Sequence, residues 1–172
     1  NRLMNLAADY LTAGGFTEIM SNSLTKESYY EGLTSYPAAR CVRILNPLSA
    51  DLNVMRQTLL FNTMEAVQLN ANRRNGNLRL YEFGNCYFYD EAARDAEKPL
   101  SAYSEQYRLA IAVTGAAVPQ SWNAKPQASS FFTLRAVAEK LLRRFGLDIY
   151  ALKCEPLQSD LFGDGISLSA GN

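Results

Sequence analysis

The chain has 172 residues, 48% of them hydrophobic and 20% charged; at roughly 150 residues per domain this is about one ordinary globular domain, and disordered or collagen-like architectures are excluded. Seventeen basic and 17 acidic residues cancel to zero net charge, so no global field draws the chain onto nucleic acid or an anionic membrane, and any polyanion contact must be local. There is no histidine, which removes Ser–His and Cys–His nucleophile pairs, the usual zinc sites and the commonest general base near neutrality.

In chain order, Leu3, Leu6, Ala7, Tyr10 and Leu11 recur at helical spacing, and Gly14-Gly15 ends the pattern in the manner of a left-handed cap. Residues 16–24 carry the alternation and threonine content of a strand, residues 35–39 read as loop, and a second strand is expected over 41–45, broken by Asn46-Pro47. A helix over 58–74 follows from Leu60, Met64, Val67 and Ala71, with Thr58 as N-cap and Asn75-Gly76 as the stop. Residues 78–89 are rich in tyrosine, phenylalanine and leucine on both alternating faces, as a central strand covered on two sides requires. After a polar excursion over 90–105, residues 107–114 place Leu109, Ile111 and Val113 on one face and Ala110 and Ala112 on the other, a second central strand.

The third helix is set by Leu134, Val137, Ala138, Leu141, Leu142 and Phe145, with Gly146 at its end. Two short strands, 149–155 and 166–170, flank a turn near Gly163-Asp164-Gly165, with a further turn towards residue 172. The order of elements favours an α+β fold, an antiparallel sheet with helices on one face, forming a single module over 1–172. A chain opening on Asn1 and closing without a terminal helix reads as a fragment of something larger. No apolar run reaches the 18 or so residues of a membrane span, so a cytoplasmic setting without membrane contact is expected. Cys41, Cys86 and Cys154, odd in number and without a CxxC pair, are expected to be reduced core thiols.

Carboxylates, lysine, tyrosine and arginine are left to do chemistry. Glu82 sits inside the most apolar strand, where it is either an acid, base or ligand contact in a pocket or a structural carboxylate bonded to backbone amides or to an arginine such as Arg56. Arg56 lies in the crowded link 46–58, where it either grips a phosphate or carboxylate or ties down a neighbouring side chain. Arg73-Arg74 with Arg79, and separately Arg143-Arg144, are small basic clusters, candidates for RNA contact or solvated surface. Trp122 and Phe131-Phe132 are stacking candidates or packing residues. Neither a GxxxxGK[ST] loop nor a GxGxxG fingerprint is present.

Gly15-Phe16-Thr17-Glu18, Ser23-Leu24-Thr25, Asn46-Pro47-Leu48-Ser49 through Arg56-Gln57-Thr58-Leu59-Leu60, and Tyr81-Glu82-Phe83-Gly84 occur in that order. Leu109 to Gly115, Trp122 and Phe131-Phe132-Thr133-Leu134-Arg135 continue it. Taken in register, these segments resemble the bacterial phenylalanine-tRNA ligase beta subunit over nearly the whole chain. The resemblance implies a class II aminoacyl-tRNA synthetase-like core, an antiparallel sheet flanked by helices, that is not itself catalytic. No catalytic, cofactor-binding or metal residue is then expected within it, ATP and Mg being needed by the holoenzyme.

It implies partnership with the alpha subunit, the remaining beta-subunit domains and, through the holoenzyme, tRNA. Leu3, Tyr10 and Leu11 are the expected exposed interface with the alpha subunit. Class II sites use an arginine-x-glutamate pair on a central strand to hold ATP; here Arg79 and Glu82 are three apart. Where relatives place a proline-glycine-arginine turn, this chain has Ser159-Asp160-Leu161-Phe162-Gly163-Asp164-Gly165.

Overall fold

The computed structural model describes residues 2–170; the turn expected beyond Ala170 lies outside them. Helix α1 (Arg2–Ala13) buries Ala7 and Leu11. It stops in a Schellman arrangement: Gly15, at φ 79°, donates to the Thr12 carbonyl and Phe16 to the Leu11 carbonyl, so Leu11 and Phe16 meet in the core. The strands that follow are short: β1 (Thr17–Glu18), β2 (Leu24–Thr25), β3 (Val42–Arg43) and β4 (Val54–Met55), the last unanticipated from sequence. β4 lies between β2 and β3 in a small antiparallel sheet.

Helix α2 spans Leu60–Asn72. Its cap position is Leu59, one residue after Thr58, whose hydroxyl accepts from the Leu60 N–H at 3.2 Å. Its stop is Arg74 in the left-handed region (φ 63°) rather than Asn75-Gly76. The main hairpin joins β5 (Arg79–Tyr89) and β6 (Tyr103–Val113), paired antiparallel over their full length. β1 joins β5 in parallel, giving the order β1-β5-β6. β5 is thus central as expected, whereas β6 is an edge among the described residues, and it starts four residues earlier than the pattern over 107–114 indicates.

β7 (Ala116–Val118) and β8 (Gln127–Ala128) form a small ribbon before α3 (Phe131–Arg144), and β9 (Lys153–Pro156) with β10 (Ile166–Ser169) forms a second one. Gly146, at φ 84°, ends α3 as its position predicts. Alternation on the hairpin divides the interior. Tyr81, Phe83, Leu109, Ile111 and Val113 face α1 and α3, packing on Leu11, Phe16 and Val137. Cys86, Phe88 and Ala110 face the other way, onto Leu59 at the start of α2. Helices therefore cover both faces of the sheet, not one, because small side chains on β6 admit the Leu59 turn.

Candidate functional site

The only carboxylate buried on β5 is Glu82, and it meets Arg56, which follows β4. Arg56 Nη1 donates to Glu82 Oε1 at 2.8 Å, with the two side chains 4% and 1% exposed. Ser21, in the link between β1 and β2, donates its N–H to Oε1 at 3.1 Å, and its hydroxyl lies 2.7 and 2.8 Å from the two carboxylate oxygens. Arg56 also donates through Nε to the Asn85 carbonyl at 3.0 Å and through Nη1 to Ser21 Oγ at 2.9 Å. Backbone bonds fix the same residue in place: Arg56 N–H donates to the Ser23 carbonyl and Tyr87 N–H to the Arg56 carbonyl, both at 2.9 Å. The small sheet is thereby bolted to β5.

Gly84 makes room for this arrangement. A Cβ there would collide with the Arg56 guanidinium and come within 3.0 Å of Leu59 Cδ2, so the glycine inside a strand marks a close approach. Of the two readings open for Arg56 and Glu82, the structure selects the ion pair; the alternative of an open pocket floored by them fails, because neither has surface to offer. A cleft of about 440 Å³ beside Tyr29, Phe61 and Met64 and another of about 360 Å³ around Asn77 and Arg79 lie elsewhere.

Arg79 points away from Glu82. Residues three apart on a strand project to opposite faces, and Arg79 turns to the side of α1, donating to the Gly14 carbonyl at 3.1 Å and the Ala117 carbonyl at 2.9 Å. An arginine and a glutamate that would have to share one face to hold ATP are each committed to protein partners on different faces. Arg79 and Glu82 therefore do not form the arginine-x-glutamate pair of a class II site.

Next to the ion pair, Tyr30 is buried against Cys41 and Val54, and its hydroxyl accepts from the Gln57 N–H at 3.0 Å. Burial pushes the Tyr30 phenol up to about 12. Burial also raises the thiols of Cys41 and Cys86, although Arg108 and Arg56 pull the latter back, which disfavours the thiolates a nucleophile would need. Cys154, expected in the core, is exposed instead, because β9 lies at the surface.

The expected apolar interface separates on inspection. Leu3 is exposed at 63%, Tyr10 is half-buried under the Arg144 guanidinium, and Leu11 is fully buried. Leu11 is thus a core residue and cannot belong to an exposed patch: its spacing places it on the inner stripe of α1. Arg73 and Arg74 end α2, whereas Arg143 and Arg144 end α3 on the other side of the sheet and lie over Tyr150 and Tyr10. The fold does not gather the four into one patch. Trp122 is 96% exposed and stacks on nothing described.

In the segment that departs from the proline-glycine-arginine turn, Asp160 accepts from Thr34 N at 2.5 Å, Thr34 Oγ1 at 3.0 Å and Ser35 N at 3.3 Å. Hydrogen bonding from Ser35 and Thr34 holds its carboxyl well below the usual range. A carboxylate anchors this loop, and it was not foreseen. Ser21, Gln57 and Tyr30 were missed as well, since nothing local marks a serine or glutamine as a long-range partner; Gly84 inside a strand was the one signal available.

The model for the phenylalanyl tRNA synthetase beta chain CLM domain matches residues 1–168. The chain belongs to that family. It is 46% identical over 169 residues to the phenylalanine–tRNA ligase beta subunit of Bacteroides fragilis, 98% of this chain and 21% of that protein. It is 47% identical over 168 residues to the subunit of Bacteroides thetaiotaomicron, 98% of this chain and 20% of that one. The chain thus spans about a fifth of the curated relatives it matches.

Among solved structures, a pyrrolysyl tRNA synthetase of Desulfitobacterium hafniense aligns with a TM-score of 0.62 at 15% identity, covering 98% of this chain and 53% of that one. An ATP phosphoribosyltransferase regulatory subunit/histidyl-tRNA synthetase from Bacillus halodurans gives 0.62 at 17% identity, covering 89% and 35%. The fold is that of the class II synthetases, as the CLM-domain sequence implies. Among the described residues, no helix is long and apolar enough to cross a membrane.

Proposed function

We propose that this CLM domain is a noncatalytic module of phenylalanine-tRNA ligase. Its work is to hold the beta subunit against the alpha subunit, in a cytoplasmic alpha2-beta2 enzyme that uses ATP and Mg to join phenylalanine to its tRNA. The observation that carries this reading is the fate of the central carboxylate. Glu82 is sealed by Arg56 and Ser21, while Arg79 is bonded to backbone carbonyls on the opposite face. A sheet whose buried arginine and glutamate are spent on each other supports neighbours rather than chemistry.

Exposed apolar side chains on the first two helices, Leu3 on α1 with Met64 and Leu69 on α2, supply surface for such an interface. tRNA is contacted through the rest of the holoenzyme. Mixing the chain with the alpha subunit and measuring the mass of the eluting species by size-exclusion chromatography with light scattering tests the reading. A stable complex is expected. Two separate peaks, or calorimetric binding of ATP to the chain alone, would overturn it.

A further inference from the structure

Asn75-Gly76 lies in the link between α2 and β5, one step past the position where Arg74 has already turned the chain. It is the only asparagine-glycine pair in the 172 residues. Both residues are exposed, and Asn75 also lines the cleft of about 360 Å³ beside Arg79, so water reaches the side-chain amide.

An asparagine amide is open to attack by the backbone nitrogen of the next residue when three conditions hold. That nitrogen must have no hydrogen bond to break, the next residue must be small, and the backbone between them must be free to turn. Gly76 N–H donates to no acceptor among the described residues, and the Asn75 side chain makes a single long bond, from Nδ2 to Asn70 Oδ1 at 3.4 Å. No atom stands within 4 Å of where a Cβ on Gly76 would be, so nothing packs on the reacting backbone, and glycine adds its own freedom in φ and ψ. The reacting atoms belong to adjacent residues, and rotation at Asn75 alone brings them together. Asn77, also exposed, is held instead. Its Oδ1 accepts from Ala116 N–H at 2.8 Å, and the following N–H, that of Leu78, donates to the Thr114 carbonyl and hydroxyl, both at 3.3 Å.

We propose that Asn75 is a site of spontaneous deamidation and backbone isomerisation. Gly76 N bonds to Asn75 Cγ, the Cγ–Nδ2 bond breaks, and Nδ2 leaves as ammonia with the Gly76 proton, closing a cyclic imide. Water then opens the ring, giving its hydroxyl to the carbonyl carbon and its proton to the nitrogen. Opening at Cγ restores the ordinary backbone with an aspartate at position 75. Opening at the Asn75 carbonyl carbon routes the chain through the former side chain as isoaspartate, one methylene longer. Nothing is oxidised or reduced.

Either product adds one negative charge beside Arg73 and Arg74, in a chain whose charges otherwise cancel. Isoaspartate also lengthens a link pinned on both sides. Asn75 N–H donates to the Asn70 carbonyl at 2.9 Å, and the Gly76 carbonyl accepts from Thr114 Oγ1 at 2.7 Å. The extra methylene falls between these anchors, so the joint of α2 to the hairpin must shift in that product and not in the aspartate. The site is independent of the assembly reading above.

The test incubates the assembled holoenzyme at neutral and mildly alkaline pH and follows the peptide containing position 75 by chromatography and mass spectrometry of the digest. The expected result is conversion of the amide to the acid in two separable forms, aspartate and isoaspartate. Its rate should rise with pH, because attack needs a deprotonated nitrogen, and should exceed that at Asn77 roughly tenfold, since the Leu78 hydrogen bonds must open first there. Gly76→Ala fits the open space at position 76 and should fold normally yet suppress the conversion. Asn75→Asp carries the charge without the methylene and should melt with the fresh enzyme, whereas aged enzyme should melt earlier than Gly76→Ala aged in parallel.

Conversion of Asn77 ahead of Asn75, or an unchanged rate in Gly76→Ala, would overturn the proposal. So would a rate in the folded holoenzyme roughly tenfold or more below that in the urea-unfolded chain, which would show that the fold protects the amide. Equal melting of aged enzyme and aged Gly76→Ala, with isoaspartate present, would refute the strain assigned to the pinned link.

Discussion

Glu82→Gln conserves the size of a side chain that is 1% exposed and removes its charge. Arg56 would then keep its cation, 4% exposed, with only neutral acceptors: Ser21 Oγ, the Asn22 and Asn85 carbonyls and the substituted amide. Breaking a buried pair by deleting one partner costs about 3–5 kcal/mol, because the surviving charge is left uncompensated. That is a large share of the ~5–15 kcal/mol that holds a typical domain together. With a urea slope of about 2 kcal/mol/M, the unfolding midpoint measured by circular dichroism should fall by about 1.5–2.5 M.

The companion double variant, Arg56→Met with Glu82→Leu, removes both buried charges and should recover at least half of that loss. In the holoenzyme, Glu82→Gln should lower the yield of assembled enzyme and leave the turnover of each assembled enzyme unchanged. A urea shift corresponding to less than about 1 kcal/mol would show that the pair is not desolvated. Normal assembly with collapsed turnover would refute the noncatalytic reading.

Two further outcomes follow from the same packing. Leu11→Glu buries a charge among Phe16 and Tyr81 and should leave the chain unfolded by circular dichroism, whereas Leu3→Glu on the exposed side of α1 should fold normally and lose binding to the alpha subunit; a folded Leu11→Glu would contradict the core assignment. For pH, the Tyr30 phenol is raised from 10 to about 12 by burial, so between these values the unfolded chain releases a proton that the folded chain keeps, and stability declines as pH rises. Tyr30→Phe should be about 1–3 kcal/mol less stable at neutral pH, because the Gln57 N–H loses its acceptor, yet show a shallower decline between pH 10 and 12. Parallel declines in urea-denaturation series would argue against it.

What could be read from the sequence is what depends on short-range pattern. The three helices follow from apolar spacing and from Gly15 and Gly146 at left-handed stops. The hairpin strands follow from alternation. The strand expected over 16–24 shrinks to the two residues of β1 and reappears only at Leu24 in β2, and β4 was not read at all, because two residues carry no period and exist only where a neighbour supplies the hydrogen bonds. Leu11 was misplaced for a related reason: periodicity identifies the apolar stripe of α1 but not which of its edges is open to water. Arg56 and Glu82 were nominated as a pair from composition alone, since a carboxylate in an apolar strand demands a cation. Ser21 and Asp160, whose partners lie 61 and 126 residues away, had no such demand written beside them.

The spacing between Arg79 and Glu82 keeps the two side chains from acting together on one face of the sheet. On a strand, positions two apart share a face and positions three apart do not. One residue of offset sends the arginine to the α1 side, where the Gly14 and Ala117 carbonyls take its donors, and leaves the glutamate alone on the other. An isolated carboxylate inside the sheet would be costly, so its retention requires a new cation, and Arg56 delivers one only because Gly84 lacks a side chain. These features stand or fall together. Moving an arginine to position 80 would put a cation on the Glu82 face, but Leu80 is buried and the carboxylate is already saturated. Such a Leu80→Arg variant should therefore lose stability without gaining ATP binding.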